Sequence, residues 1–137
     1  MKKSIEILAL LVLSLMFYNK CDAQIYKLRA YEFSFKYYSD NQGWTDWSDW
    51  KDCKILITID LYEMRMKIYS EEEQEYDIIE VKDMQKDYKG NSTLKCVAID
   101  REGLKCNVRI VNDINSNKQI YIDYLDIHWV YNVYNLN

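Results

Sequence analysis

The strongest constraint on this chain is an alternation of apolar and polar residues with period two, repeated along most of its length. From Tyr31 to Tyr37 (YEFSFKY), Tyr31, Phe33, Phe35 and Tyr37 fall on one side, and Glu32, Ser34 and Lys36 on the other. This is the signature of a half-buried strand, which extends back as far as Ile25. Ile55, Ile57 and Ile59 alternate with Leu56, Thr58 and Asp60 in a second strand. Met64, Met66 and Ile68 alternate with Arg65, Lys67 and Tyr69 in a third, joined to the second by a turn near Asp60–Glu63. Tyr76 to Val81 (YDIIEV) reads as a fourth. Thr93–Ile99 and Leu104–Val111 flank Asp100-Arg101-Glu102-Gly103, where the glycine supplies the positive φ of a type I turn with a bulge. Gln119–Tyr124 and Trp129–Tyr134 complete the series. About eight strands joined by short loops, with no helical period after residue 23, predict an all-β antiparallel up-and-down meander. Closing that meander removes its sticky edges, so a small barrel or barrel-like sandwich is expected, with a flat two-sheet sandwich as the alternative.

The N-terminus has a different pattern. Met1-Lys2-Lys3 is basic, and Ile7 to Phe17 (ILALLVLSLMF) is apolar except for Ser14. Such a run suits the core of a signal peptide and is too short to cross roughly 30 Å of hydrocarbon. Cys21-Asp22-Ala23 places small residues at −3 and −1 for cleavage before Gln24. Tyr18, Asn19 and Lys20 before Cys21 are too large or charged for lipoprotein processing. The 137 residues therefore divide into a signal-peptide helix over 1–23 and one β domain over 24–137. The expected location is the periplasm or cell exterior, with no stable membrane insertion after cleavage.

Loss of residues 1–23 moves the net charge from −4 to −5. A mildly acidic protein lacks the clustered Lys and Arg that neutralise phosphates, so nucleic acid is not an expected partner.

Cys53, Cys96 and Cys106 remain, an odd number for an oxidising compartment. If the Asp100–Gly103 turn pairs residue 100 with 104, Cys96 faces Val108 and Cys106 faces Ala98. The two cysteines then lie on one face but diagonally, which is poor disulfide geometry. A Cys96–Cys106 bond after a register slip and a pair of buried free thiols both remain open. No Cys-x-x-Cys pair supports zinc or thioredoxin-type chemistry.

The single histidine, His128, closes most nucleophilic routes to catalysis. Asp123, Asp126 and His128 are close in sequence. In one extended strand, however, Asp126 and His128 share a face while Asp123 points away, so no metal site is expected. No pair of carboxylates stands out for glycoside chemistry. An enzyme is not expected, nor is a cofactor.

The sharpest local feature is Gly43-Trp44-Thr45-Asp46-Trp47-Ser48-Asp49-Trp50-Lys51-Asp52-Cys53, with tryptophan at every third position. These eleven residues are similar to the start of a thrombospondin type 1 repeat, whose tryptophans stack between arginines of neighbouring strands. The similarity ends where Lys54-Ile55-Leu56-Ile57 replaces that family's closely spaced cysteines and arginine strand. A spacing of three in a loop is expected to send the rings to different sides. Either Trp44, Trp47 and Trp50 form an exposed surface for sugar stacking or a protein hot spot, or they plug the open end of the barrel.

Gly43–Trp50, Leu56-Ile57-Thr58-Ile59-Asp60, Ile68-Tyr69-Ser70, Tyr76-Asp77-Ile78-Ile79 and Trp129-Val130-Tyr131-Asn132 together resemble a set of small uncharacterised secreted proteins of Bacteroidetes and their crAss-like phages. The resemblance implies a source and a compartment, with a virion-associated location if phage-encoded, and no mechanism. The function expected from the residues is non-enzymatic binding of a protein or glycan through Trp44, Trp47 and Trp50. An inhibitor or immunity-type protein acting on an envelope enzyme is the alternative. A lipocalin-like carrier with Phe33 and Phe35 lining its cavity comes third.

Overall fold

The computed structural model describes Lys3, Glu6 and residues 25–137, so the expected signal peptide and its cleavage site lie outside the described residues. Over 25–137 every regular element is a strand: β1 (Ile25–Ser39), β2 (Gly43–Trp44), β3 (Lys51–Asp60), β4 (Arg65–Tyr69), β5 (Gln74–Val81), β6 (Gln85–Lys86), β7 (Ser92–Asp100), β8 (Lys105–Asn112), β9 (Lys118–Asp123) and β10 (Ile127–Asn135). The eight longer strands pair antiparallel with their chain neighbours, and β10 returns to pair with β1. The sheet is therefore a closed eight-stranded up-and-down barrel. Two short strands are added: β2 on the end of β1 and β6 on β7. Closure gives each barrel strand two partners and leaves no long free edge.

The alternating residues fill the interior. Ile57 lies opposite Leu28 on one side and Ile68 on the other, and Met66 lies between Ile59 and Tyr76. Ala98 and Cys106 pair across the next hairpin, and Ile120 and Ile122 sit beside Ile110 and Val108. The core residues among these are almost wholly excluded from solvent. At one end of the barrel Phe33, Phe35, Trp129 and Tyr131 pack ring to ring, with centroids 5.1–6.2 Å apart. At the other end aliphatic side chains surround a cavity. Phe33 and Phe35 therefore do not line that cavity, as a carrier reading of the sequence had supposed.

Two strands depart from strict alternation: β5 shifts register against β7 between Ile78 and Glu80, and β1 carries the larger consequence. In β1 the register shifts between Ala30 and Glu32 against both neighbours. The extra residue, Tyr31, turns outward and stacks on Tyr134 with centroids 6.1 Å apart, while Phe33, Phe35 and Tyr37 remain inward. A bulge absorbs one residue of parity, which a period-two count cannot register.

Three hairpin turns share one construction. In Asp87–Asn91, Asp100–Leu104 and Asp113–Asn117, the aspartate Oδ1 accepts N–H groups two and four residues on, at 2.8–3.0 Å. The fourth residue of each donates to the aspartate carbonyl. That fourth residue has positive φ: Gly90 at 90°, Gly103 at 82° and Ser116 at 65°. Asp100–Leu104 is thus the type I turn with bulge that its sequence predicts. Ser116 occupies the left-handed region at a cost that glycine avoids, roughly 1 kcal/mol. Part of the gain from Ser116→Gly is returned as unfolded-chain entropy. We therefore expect Ser116→Gly to raise stability by about 0.5 kcal/mol, or Tm by roughly 2–3 °C, and Gly103→Ala to lower it, both by thermal unfolding.

Candidate functional site

The chain between β1 and β3 does not cross the barrel mouth. It runs back along β1 and lays Trp44 and Trp47 on the outer wall. Gly43 and Trp44 pair with Ser39 and Tyr38, and further along Lys51 pairs with Phe33. Between them, Thr45 N–H donates to the Tyr37 carbonyl (2.9 Å) and Ser48 N–H to the Phe35 carbonyl (2.8 Å). In return, Tyr37 N–H donates to Thr45 Oγ1 and Phe35 N–H to Ser48 Oγ, each at 3.1 Å. Side-chain hydroxyls thus replace the carbonyls that a regular ladder would offer. Each three-residue step of the returning strand, 45 to 48 to 51, matches a two-residue step of β1, 37 to 35 to 33. The surplus residue at each step is a tryptophan or its neighbour. The Trp-Thr-Asp, Trp-Ser-Asp, Trp-Lys-Asp triplets encode a strand that bulges at regular intervals.

The wall beneath is built by register. Lys36, His128 and Asp123 form one outward row across β1, β10 and β9, and Ser34, Val130, Tyr121 and Arg109 form the next. Trp44 stacks on the His128 imidazole at 4.2 Å and meets Tyr38 edge-on at 5.6 Å. Trp47 meets Tyr121 edge-on at 6.1 Å. The Lys36 ammonium sits between the two tryptophans, 5.4 Å from the Trp44 centroid and 4.9 Å from Trp47. Arg109 lies 4.1 Å over the Tyr121 ring and donates to Asp123 from Nε (2.6 Å) and Nη2 (3.4 Å). Ser34, only 1% exposed, donates its hydroxyl to the Ser48 carbonyl at 2.6 Å. Hydrogen bonds pin the strand, and ring and cation–π contacts hold the undersides of Trp44 and Trp47, whereas Trp50 makes no such contact among the described residues. Trp44, Trp47 and Trp50 remain 40%, 40% and 46% exposed.

The expectation that a spacing of three scatters the rings does not hold for Trp44 and Trp47, because the regular bulges bring both to Lys36. Nor do they plug the barrel end, a place taken by Phe33, Phe35 and Trp129. Sequence reasoning missed Lys36, Tyr121 and Arg109, which come from three other strands, and set Asp123 on the face away from His128. The alternating Trp and Ser/Thr of the triplets was the available signal. Asp123 and His128 also come together, Oδ1 to Nδ1 at 3.7 Å, because residues 124–126 turn and make 123 and 128 cross-strand partners. No group of three or more metal-ligating side chains converges among the described residues. Cys96 faces Val108 and Cys106 faces Ala98, the diagonal arrangement expected, and Cys53, Cys96 and Cys106 are free thiols. Burial raises the thiol pKa of Cys96 and pushes that of Cys106 up to about 11.

Burial also holds the His128 imidazole below its ordinary range. The Asp123 carboxylate pulls the other way, and the Lys36 and Arg109 cations add to the depression. The folded protein therefore takes up this proton less readily than the unfolded chain. The stability contributed by neutral His128 is present above the unfolded value of about 6.5 and is lost as pH falls below it. We expect the urea midpoint to fall on acidification through that window, and His128→Gln to flatten this part of the profile.

Neither a protein-family model, nor a curated protein, nor a solved structure matches this chain.

Proposed function

We propose that this is a non-enzymatic binding protein of the periplasm or cell exterior that holds a protein or glycan partner against the tryptophan-bearing wall. The observation that carries the reading is a pair of half-exposed indoles, Trp44 and Trp47, whose undersides are fixed in place, with Trp50 exposed further along the same segment. Large aromatic side chains held before binding lose little conformational entropy when a partner arrives. Tryptophan, tyrosine and arginine are also the residues in which interface energy concentrates. Tyr38, Trp44, Trp47 and Trp50 supply the apolar area, while the exposed Asp46 and Asp49 of the same segment supply polar contacts suited to sugar hydroxyls or a protein rim.

The first test is fluorescence of the Trp129→Phe variant, which leaves the three wall tryptophans as reporters within the β domain. Red-shifted emission that acrylamide quenches readily is expected. Blue-shifted, protected emission would remove the contact face. Glycan arrays and capture from envelope extracts then follow, with Trp47→Ala as the comparison. A true partner should bind that variant about thirtyfold more weakly, the scale of a single hot-spot residue. A partner that binds Trp47→Ala as well as it binds the parent chain would place the contact elsewhere.

A further inference from the structure

The barrel end away from Phe33 and Phe35 holds a cavity of about 190 Å³. Its walls are inward-facing aliphatic and sulfur side chains: Leu28, Ile59, Met66, Ile78, Cys96 and Val108. Polar groups appear at the rim: the half-exposed Tyr26 on β1, and Asn112 and Lys118, the last of which carries the only charge among the described lining residues. Asn112 and Lys118 are cross-strand partners on the inward face of β8 and β9, and the Lys118 ammonium is held by Asn135 Oδ1 at 3.0 Å. The rest of the rim includes the apolar side chains of Leu61, Met84 and Leu94, the last on β7 beside β8. Met84 is 55% exposed, so the apolar lining reaches the surface.

This distribution selects a ligand. A dry apolar cavity of roughly 150 Å³ accommodates benzene, so this one suits a hydrocarbon segment of about six to eight carbons. A single fixed ammonium beside the mouth favours an anionic head, because a charge-assisted contact there need not be buried at depth. We propose that the cavity binds the tail of a medium-chain carboxylate whose head group sits at Lys118. This site is separate from the tryptophan-bearing wall, and the two stand or fall independently.

The test is a titration of the chain, labelled with ¹³C at its methionine methyls, with sodium octanoate. Met66 and Met84 line the cavity and Met64 does not, so the first two resonances should shift saturably while Met64 stays nearly still. Affinity should rise about fourfold per methylene from hexanoate to octanoate and level off for longer tails. Lys118→Met should weaken octanoate about tenfold while leaving octanol unchanged. Leu94→Trp, at a half-buried rim position, should block both ligands. Absence of a saturable Met66 shift in the parent chain would overturn the proposal. So would an unaltered shift in Leu94→Trp. Equal binding of octanol and octanoate by the parent chain would overturn the assignment of the head group to Lys118.

Discussion

Replacing Ser48 with alanine is expected to cost about 1–3 kcal/mol and to loosen the tryptophan-bearing strand from the wall. Ser48 Oγ is the acceptor for the Phe35 N–H, and it lies 3.1 Å from Ser34 Oγ beneath the loop. Alanine leaves that backbone donor without a partner in a partly buried position. The cost is therefore the desolvation of an orphaned group, larger than the net worth of the bond itself. Ser48→Thr should restore most of the loss, since Thr45 already plays the same part toward Tyr37. Thr45→Val should cost much less, because the Tyr37 N–H lies in an exposed setting where water replaces the hydroxyl. Urea unfolding gives the energies. Acrylamide quenching in the Trp129→Phe background should show the wall indoles becoming more accessible in Ser48→Ala and unchanged in Ser48→Thr. If the quenching constant does not move in Ser48→Ala, the hydroxyl is not what holds the rings.

The larger effect on stability is expected in the interior, at Ile57. It is wholly buried and packed between Leu28 and Ile68 on neighbouring strands, in a row that spans β1, β3 and β4. Truncation to alanine removes three carbons from a place where the closed sheet cannot collapse inward. The loss should lie near 3 kcal/mol, within the range of about 2–5 for such changes, with an unchanged denaturant slope. Ile57→Val should cost only about 1 kcal/mol. Ile79→Ala, on a half-exposed position of β5, provides the contrast and should fall within about half a kcal/mol of the parent.

The barrel was legible because its strands alternate faithfully. Ile55, Ile57 and Ile59 point inward as their spacing predicts, and so do Met66 and Ile68. The Asp100–Gly103 turn sets the β7–β8 register that places Cys96 opposite Val108. What escaped sequence reasoning were features that break periodicity. The bulge at Tyr31 reverses the face of one aromatic residue. β2 and β6 are two residues each, too short for any pattern to declare itself. The wall site was hidden for a further reason. Lys36, Arg109, Tyr121, Asp123 and His128 meet only after β1, β10, β9 and β8 have been set side by side. Their adjacency is a property of the closed sheet, and no local spacing carries it. The tryptophans were visible as a motif, but the shared wall position of Trp44 and Trp47 depends on hydroxyls standing in for carbonyls.

Closure by β10 also bears on how the chain reaches this state. Asn132 donates to Glu32, 100 positions earlier, and Leu136 N–H reaches the Lys27 carbonyl at 2.9 Å. During synthesis β1 emerges first and its second partner last. Until β10 leaves the ribosome, β1 and β9 each present an unpaired edge, the form most prone to pair with another molecule. The contacts that remove those edges span nearly the whole β domain, so loop-closure entropy makes them slow to form. Docking of β10 is thus expected to be the slow step of assembly, and protection against intermolecular pairing arrives only with that strand.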